Sequence, residues 1–322
     1  MHWLEAALPS LRRLEVTTVS AINNRFMDSL PCLQGLEDLK LDLRGEIEIN
    51  RSFDPIAPLT GLTSLEVEYS DVWEFQDLGY CLGCLPRLKR LVLTHAPEED
   101  WPPTSDSLEE LDVYVVRTEL RELPERELLP RLHSFHIGLL KFCSPGMATV
   151  LDTGLPDPAM IPRLQKLSSL PSFTCSSVQF MLGFSKQPDQ ELARFFEALQ
   201  GISPYLPRTD ALMIWDAKTL KKAGMLSSFS SFFPGIHRLE LRECSLADSS
   251  LVEAATCFPN LKTLTLIWCS GQAQDMATSA LAANRALVME VWLKDEPAEQ
   301  WRACCLHSAS PTQQQRCKVF RG

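Results

Sequence analysis

Ten segments of this chain share one spacing of apolar residues, with leucine or a similar side chain at positions 1, 4 and 6. Most of them begin 20–27 residues after the previous one, and a single step of 77 residues separates the sixth from the seventh. Three periods of about 25.7 residues would fill that step, so we expect two degenerate units inside it. The segments begin at Leu11, Leu36, Leu62, Leu88, Leu108, Leu132, Thr209, Ile236, Leu261 and Ala286.

The spacing has a physical cause. Positions 4 and 6 lie two residues apart and therefore on one face of a strand, while position 1 turns into the same core just before the strand. One unit cannot bury its apolar face alone, whereas stacked units bury it against each other and align their strands in one parallel sheet. We predict strands at Leu14–Val16, Leu39–Leu41, Leu65–Val67, Leu91–Leu93, Leu111–Val113, Phe135–Ile137, Leu239–Leu241 and Leu264–Leu266.

Helices are expected between the strands. Pairs such as Phe233-Pro234 and Phe258-Pro259 precede many units, and proline both ends a helix and favours an extended start to the next strand. Asp189 and Asp248 stand where helix N-caps belong. The candidate helices are Trp73–Leu82, Gln190–Leu199, Ser249–Thr256 and Asp275–Ala283.

In the two best-preserved units, a cysteine follows three positions after the last leucine. These units read Ile236-x-x-Leu239-x-Leu241-x-x-Cys244 and Leu261-x-x-Leu264-x-Leu266-x-x-Cys269. Over roughly residues 4–295 the chain resembles leucine-rich repeat proteins of the cysteine-containing, ribonuclease-inhibitor-like type, and in particular the F-box/LRR substrate receptors of cullin-type ubiquitin ligases. In that family the cysteine occupies a buried turn, which suits a small, weakly polar side chain.

This resemblance implies an α/β leucine-rich repeat solenoid, a curved parallel sheet with helices and short turns on its convex side. We expect it to occupy residues 1–295 in about ten to twelve units, with degenerate repeats at 141–206 and a loose C-terminal tail at 296–322. Residues 144–161 are either a loop between drifted repeats or an insertion that reaches over the concave face.

The resemblance also implies a protein-binding function, with two versions left open. In the first version, the chain is the substrate-recognition part of an F-box-type ubiquitin ligase. In the second version, it is a repeat scaffold or regulator without a ligase link. No F-box is visible, and residues 1–10 look like the tail of an earlier repeat. We therefore expect a fragment whose missing N-terminal region would contact ligase components, or another subunit that covers the first repeat.

The net charge and the cysteine content limit the kinds of binding partner and the cellular compartment that the sequence predicts. A net charge of −10 argues against nucleic acid and against anionic membrane. No run of about 20 apolar residues and no signal peptide is legible. The 11 cysteines are scattered rather than clustered in disulfide-rich caps, which indicates free thiols and a cytoplasmic or nuclear protein.

The sequence contains no recognisable catalytic or metal-binding motif, so we expect no enzyme activity, no cofactor and no metal. Cys81-x-x-Cys84 has zinc-like spacing but lacks a second ligand pair, which favours two core cysteines. His136 lies between two inward-facing residues and is expected on the concave face as an ordinary surface histidine.

The repeat period also assigns the residues of the concave face. In the first half these are mostly acidic, whereas the second half carries large apolar groups, and exposed aromatic and arginine side chains are common interface anchors. The alternative is that the rings pack sideways on the sheet, or under a loop or the tail. The candidate binding residues for a protein partner are Tyr114, Trp215, Arg242, Ile267, Trp268 and Trp292.

Overall fold

A computed structural model of the chain describes residues 10–17, 24–43, 53–69, 77–96, 104–117, 128–142, 160–181, 188–206, 209–215, 220, 224–247, 249–270, 274–293 and 316–321. Its strands form one parallel sheet of 12 strands in sequence order. The strands are β1 (Arg13–Val16), β2 (Asp38–Leu43), β3 (Ser64–Tyr69), β4 (Arg90–His95), β5 (Glu110–Arg117), β6 (Ser134–Phe142), β7 (Ser172–Met181), β8 (Ala211–Trp215), β9 (Arg238–Arg242), β10 (Thr263–Ile267), β11 (Val288–Leu293) and β12 (Cys317–Arg321).

Helices lie between the strands in sequence, which gives an α/β architecture compatible with a solenoid-like repeat fold. They are α1 (Asn24–Met27), α2 (Leu78–Gly83), α3 (Met160–Ser168), α4 (Pro188–Ile202), α5 (Met225–Phe232), α6 (Ser250–Cys257) and α7 (Gln274–Ala283), with 3₁₀ turns at Leu30–Cys32 and Ser203–Tyr205. No helix in the described ranges has both the length and the apolar character needed to cross a membrane.

The apolar triplets form the core, as the spacing predicts. The triplet leucines of the strands β2 to β5, β9 and β10 are at most 1% exposed, Leu65 and Leu264 among them. The eight predicted strands are present, each extended by one or more residues. Leu14 and Val16 depart from the expected full burial and are only half-buried, because β1 is the first described strand and pairs on one side only.

One backbone contact recurs at the start of successive strands. The carbonyl oxygen just before a strand accepts two hydrogen bonds from successive N–H groups of the next unit. The oxygen of Glu37, for instance, accepts from Thr63 and Ser64 at 2.8 and 3.1 Å, and that of His237 accepts from Lys262 and Thr263 at 2.8 and 3.0 Å. This contact locks the register, so equivalent residues of neighbouring units become strand partners.

The chain divides into two compact units. Unit 1 comprises residues 1–138 and 162–174, and unit 2 comprises residues 139–161 and 175–322. The core of unit 2 is rich in phenylalanine. Phe180 on β7 is fully buried, and its ring centroid lies 4.9 Å from that of Phe142 and 5.1 Å from that of Phe195.

The middle of the chain differs from its predicted arrangement. Among the described residues of the long step after Leu132, one strand, β7, lies where the period predicts two degenerate units. Val178–Phe184 has a strand-like composition, and its described part, Val178–Met181, forms the end of β7. Leu164 and Leu167 have the spacing of triplet positions 1 and 4, which predicts a degenerate unit there, but they lie on α3. An apolar pair spaced by three fits a helix face as well as a repeat, which is why the pattern misled. The segment 144–159 lies outside the described residues.

The end of the predicted C-terminal tail is ordered as β12, which pairs in parallel with β11. We expected a loose segment there. Arg316 anchors this strand, because its guanidinium donates hydrogen bonds to the carbonyl oxygens of Leu281, Asn284 and Arg285 at 3.1, 3.1 and 2.6 Å. Cationic side chains suit such helix C-terminal carbonyls. The rest of the tail, residues 296–315, lies outside the described residues.

Candidate functional site

In unit 2 the strand register aligns five side chains in one row, which we call the aromatic row. Trp215 on β8 pairs with Arg242 on β9, which pairs with Ile267 on β10. Ile267 pairs with Trp292 on β11, which pairs with Phe320 on β12. Neighbouring strands lie about 4.8 Å apart, so the row is a continuous surface across five strands. Four predicted binding residues thus adjoin in this row, as the repeat period predicts: Trp215, Arg242, Ile267 and Trp292.

Arg242 is held by two tryptophans. Its guanidinium carbon lies 4.5 Å from the ring centroid of Trp215 and 5.0 Å from that of Trp268. Both distances are within the range of cation–π attraction, and a planar guanidinium stacks well on an indole. The two rings of this Trp–Arg–Trp cluster hold the positive charge of Arg242 in a fixed position within the row.

A tight turn places Trp268 in this cluster. Strand alternation would send the residue after Ile267 into the core. Instead Trp268 has a φ of 53°, the left-handed region that favours glycine, and its backbone N–H donates to the Trp292 oxygen at 2.8 Å. Glu243 makes the same turn one unit earlier, with a φ of 54°. Non-glycine residues seldom adopt this conformation, and such turns often occur at functional positions.

The repeat cysteines stabilise these turns. Cys244 donates from its thiol to the Ile214 oxygen at 3.3 Å, and Cys269 donates to the equivalent Leu241 oxygen at 3.1 Å. Both are free thiols, as predicted; Cys244 is buried, but Cys269 is only partly so. A hydrogen bond from the Cys244 thiol lowers the pKa of Cys269. A short sulfur side chain that bonds to the preceding unit explains the choice of residue at this turn.

A carboxylate lies beside the cluster. Glu240 is two residues before Arg242 on β9 and therefore on the same face. Burial raises its pKa, against the opposing positive charges of Arg242 and Arg238. The indole N–H of Trp215 approaches this carboxylate without completing a regular hydrogen bond. The site is therefore partly desolvated, and charges exert a stronger force there than in water.

Trp292 is the most exposed residue of the aromatic row. Its ring stacks on that of Phe320, with the centroids 4.4 Å apart and the planes at 19°, yet the residue remains 37% exposed. Beside it, Lys318 pairs with Glu290 at 3.4 Å. The predicted rings thus contact neighbours within the sheet, as the sideways-packing alternative stated, and Trp292 keeps an open surface.

The same face of unit 1 is a network of ion pairs. Lys40 lies 2.7 Å from Glu66 and 3.4 Å from Glu68, and these carboxylates raise its pKa. The repeat period also assigns Val92 and Asp42 to this outward face, yet both are buried, at 4% and 6% exposure. Val92 pairs with Glu66 and Asp112 on either side. Arg90 reaches both carboxylates, and its long side chain shields the valine between them.

Tyr114, the remaining predicted binding residue, lies on β5 of unit 1 and is 56% exposed. It therefore belongs to this charged face rather than to the aromatic row. His136 hydrogen-bonds through Nδ1 to the Thr174 hydroxyl at 2.6 Å. Cys81 is buried on α2, and burial raises its pKa to about 12. Within the described ranges, no group of three or more metal-ligating side chains is assembled.

Sequence reasoning missed Phe320 and the contacts that fix Arg242. The sequence contains a faint signal for a strand next to Phe320, because the apolar residues Cys317 and Val319 alternate with the polar Lys318.

No protein-family model matches the chain, and no curated protein matches it significantly.

Proposed function

We propose that this chain is a leucine-rich repeat protein that acts as a non-catalytic protein-interaction module. The observation that supports this function most strongly is the aromatic row with its Trp–Arg–Trp cluster. Interface centres are enriched in tryptophan and arginine, and those side chains bind best when they are already fixed in position. Arg242 is so fixed by two rings, and Trp292 offers exposed aromatic surface two strands away.

The repeat class is supported by the recurring geometry of the units. The parallel strands pair in register, the double hydrogen bond recurs at the starts of β2 to β6, β9 and β10, and the cysteine turn occurs at both Cys244 and Cys269. An asparagine adds a further link between units, since the Asn284 side chain donates to the Leu261 oxygen at 2.9 Å.

The cysteine turns favour an F-box-type ubiquitin ligase as the context, with this chain as its substrate-recognition part and ligase components contacted through an N-terminal region. The alternative is a repeat scaffold or regulator without a ligase link. An F-box encoded directly upstream of Met1 in the transcript supports the first version, and its absence there supports the second. Both versions place the protein in the cytoplasm or the nucleus.

Site-directed photocrosslinking in cells tests the binding face. A photoreactive amino acid replaces Thr265, which lies between Glu240 and Glu290 on the face of the aromatic row. The matched control replaces Ser279, which is exposed on α7. We expect one protein to crosslink through position 265 and to disappear when Trp292→Ala is added. Equal crosslinking from position 279, or adducts indifferent to Trp292→Ala, would contradict the proposal.

A further inference from the structure

We propose that the aromatic row recognises a peptide segment with one carboxylate side chain close to an apolar one, and that the terminal nitrogens of Arg242 bind that carboxylate. This inference rests on the proposed function, because it names the ligand class for the same face.

Arg242 is presented in a form suited to an anion. The Nε edge of its guanidinium lies 3.8 Å from a Glu243 carboxylate oxygen. Among the described residues, its contacts are this carboxylate at Nε, which is buried without a hydrogen bond, and the two indole rings, while the side chain as a whole is 31% exposed. The two terminal nitrogens are therefore the part of the guanidinium that a ligand would meet. An arginine fork that is fixed in advance loses little entropy when it binds a carboxylate with two parallel hydrogen bonds.

The comparison with Arg90 in unit 1 shows what is unusual about Arg242. Arg90 occupies the corresponding kind of face and is 41% exposed, yet carboxylates surround it. The partners are Glu66 at 3.9 Å, Glu110 at 3.6 Å and Asp112 at 3.2 Å. Arg242 has ring faces as its main neighbours instead. Rings stabilise a cation without occupying its hydrogen-bond donors, so the donors of Arg242 stay free for a ligand.

The apolar part of the ligand is set by Trp292. It lies two strands from Arg242 in the same row, which at the usual strand spacing is roughly 10 Å. An extended peptide advances about 3.3 Å per residue. The geometry therefore selects an aliphatic or aromatic side chain about three residues from the acidic one, with half-buried Ile267 beneath the segment that joins them.

Surrounding charge favours a carboxylate over a phosphate. Glu240 and Glu243 flank Arg242 on its own strand and turn. The next cation along that strand, Arg238, is four residues and roughly 13 Å away. Lys318 already pairs with Glu290. Because these two carboxylates already face the guanidinium, the second negative charge of a phosphate adds repulsion that a singly charged carboxylate does not.

Selection of random peptides on the immobilised full chain tests this inference. We expect the selected peptides to carry Asp or Glu with an apolar residue about three positions away. The acidic preference should vanish on Arg242→Met and persist on the matched variant Arg90→Met. Replacing the selected acid by Asn in a synthetic peptide should weaken binding to the wild type at least about tenfold and leave binding to Arg242→Met unchanged.

Two further measurements separate recognition from a general loss of structure. Glu240→Gln removes a repelling charge and should tighten binding a few-fold, which damage to the fold cannot do. A phosphoserine at the acidic position should bind more weakly than Asp. Tighter phosphopeptide binding, acid-free selected peptides or no selected peptide would overturn the inference. Acid-free peptides that still depend on Trp292 would leave the proposed function standing, and peptides indifferent to both Trp292 and Arg242 would refute both.

Discussion

Phe180 is the side chain on which the core of unit 2 depends most. It is fully buried, and its ring centroid lies 4.9 Å from Phe142, 5.1 Å from Phe195 and 6.1 Å from both Phe229 and Phe233. Truncation of a buried phenylalanine to alanine costs about 3–5 kcal/mol. The two closest ring pairs, worth about 0.5–1.5 kcal/mol each beyond burial, place Phe180 in the upper part of that range. We therefore expect Phe180→Ala to lower the free energy of unfolding by about 4–5 kcal/mol, much of the stability of an ordinary domain.

Urea unfolding followed by tryptophan fluorescence and circular dichroism measures this loss. Phe180→Leu keeps most of the apolar burial and should cost about 1–2 kcal/mol, since it removes mainly the ring contacts. Tyr80→Ala is the control, because Tyr80 is 63% exposed and its loss should change stability by less than about 0.5 kcal/mol. A loss of under about 1 kcal/mol for Phe180→Ala would refute the packing described for this core.

Three further predictions concern backbone approach, charge and thiols. A Cβ at Gly138 would lie 2.8 Å from a backbone oxygen of β5, so Gly138→Ala should cost about 1–3 kcal/mol in urea unfolding, whereas Gly235→Ala, with open space around it, should cost far less. Because burial raises the pKa of Glu240 above 4.5, the folded state loses stability as pH rises through that raised pKa. Glu240→Gln should abolish this loss in melts at pH 4 to 8, and an unchanged pH profile would argue against it. Cys244 and Cys269 should both react in a thiol count on denatured protein purified without reductant, and a missing pair would show a disulfide.

The positions of most strands can be predicted from the sequence because every unit buries its apolar triplet in the core. Leu65 and Leu239 are inward for the same reason, and the spacing that places them also places Arg242 and Trp292 on the opposite face. Prediction of the aromatic row as far as Trp292 needed only that period and the in-register pairing of parallel strands.

The number of units in the middle of the chain, the strand β12 and the turn at Trp268 depend on tertiary contacts, so the sequence alone did not predict them. The strand starts of β6, β7 and β8 are 38 and 39 residues apart, and period arithmetic cannot separate two such long units from three short ones. β12 is too short for its own strand propensity to predict it, and pairing with β11 and the hydrogen bonds of Arg316 hold it in place. Trp268 breaks strand alternation through a left-handed turn, so its contact with Arg242 depends on a backbone conformation that the sequence does not display.

The central claim is that the face of the aromatic row is a recognition surface, and Trp292→Ala tests it most directly. The protein crosslinked through position 265 supplies the ligand for a calorimetric titration, with the melting temperature of each variant measured in parallel. Because Trp292 is 37% exposed, we expect the variant to bind at least about 2 kcal/mol more weakly than the wild type while melting within a few degrees of it. Tyr80→Ala should match the wild type in both measurements. Unchanged affinity for Trp292→Ala, or an affinity loss fully accounted for by unfolding, would contradict the claim.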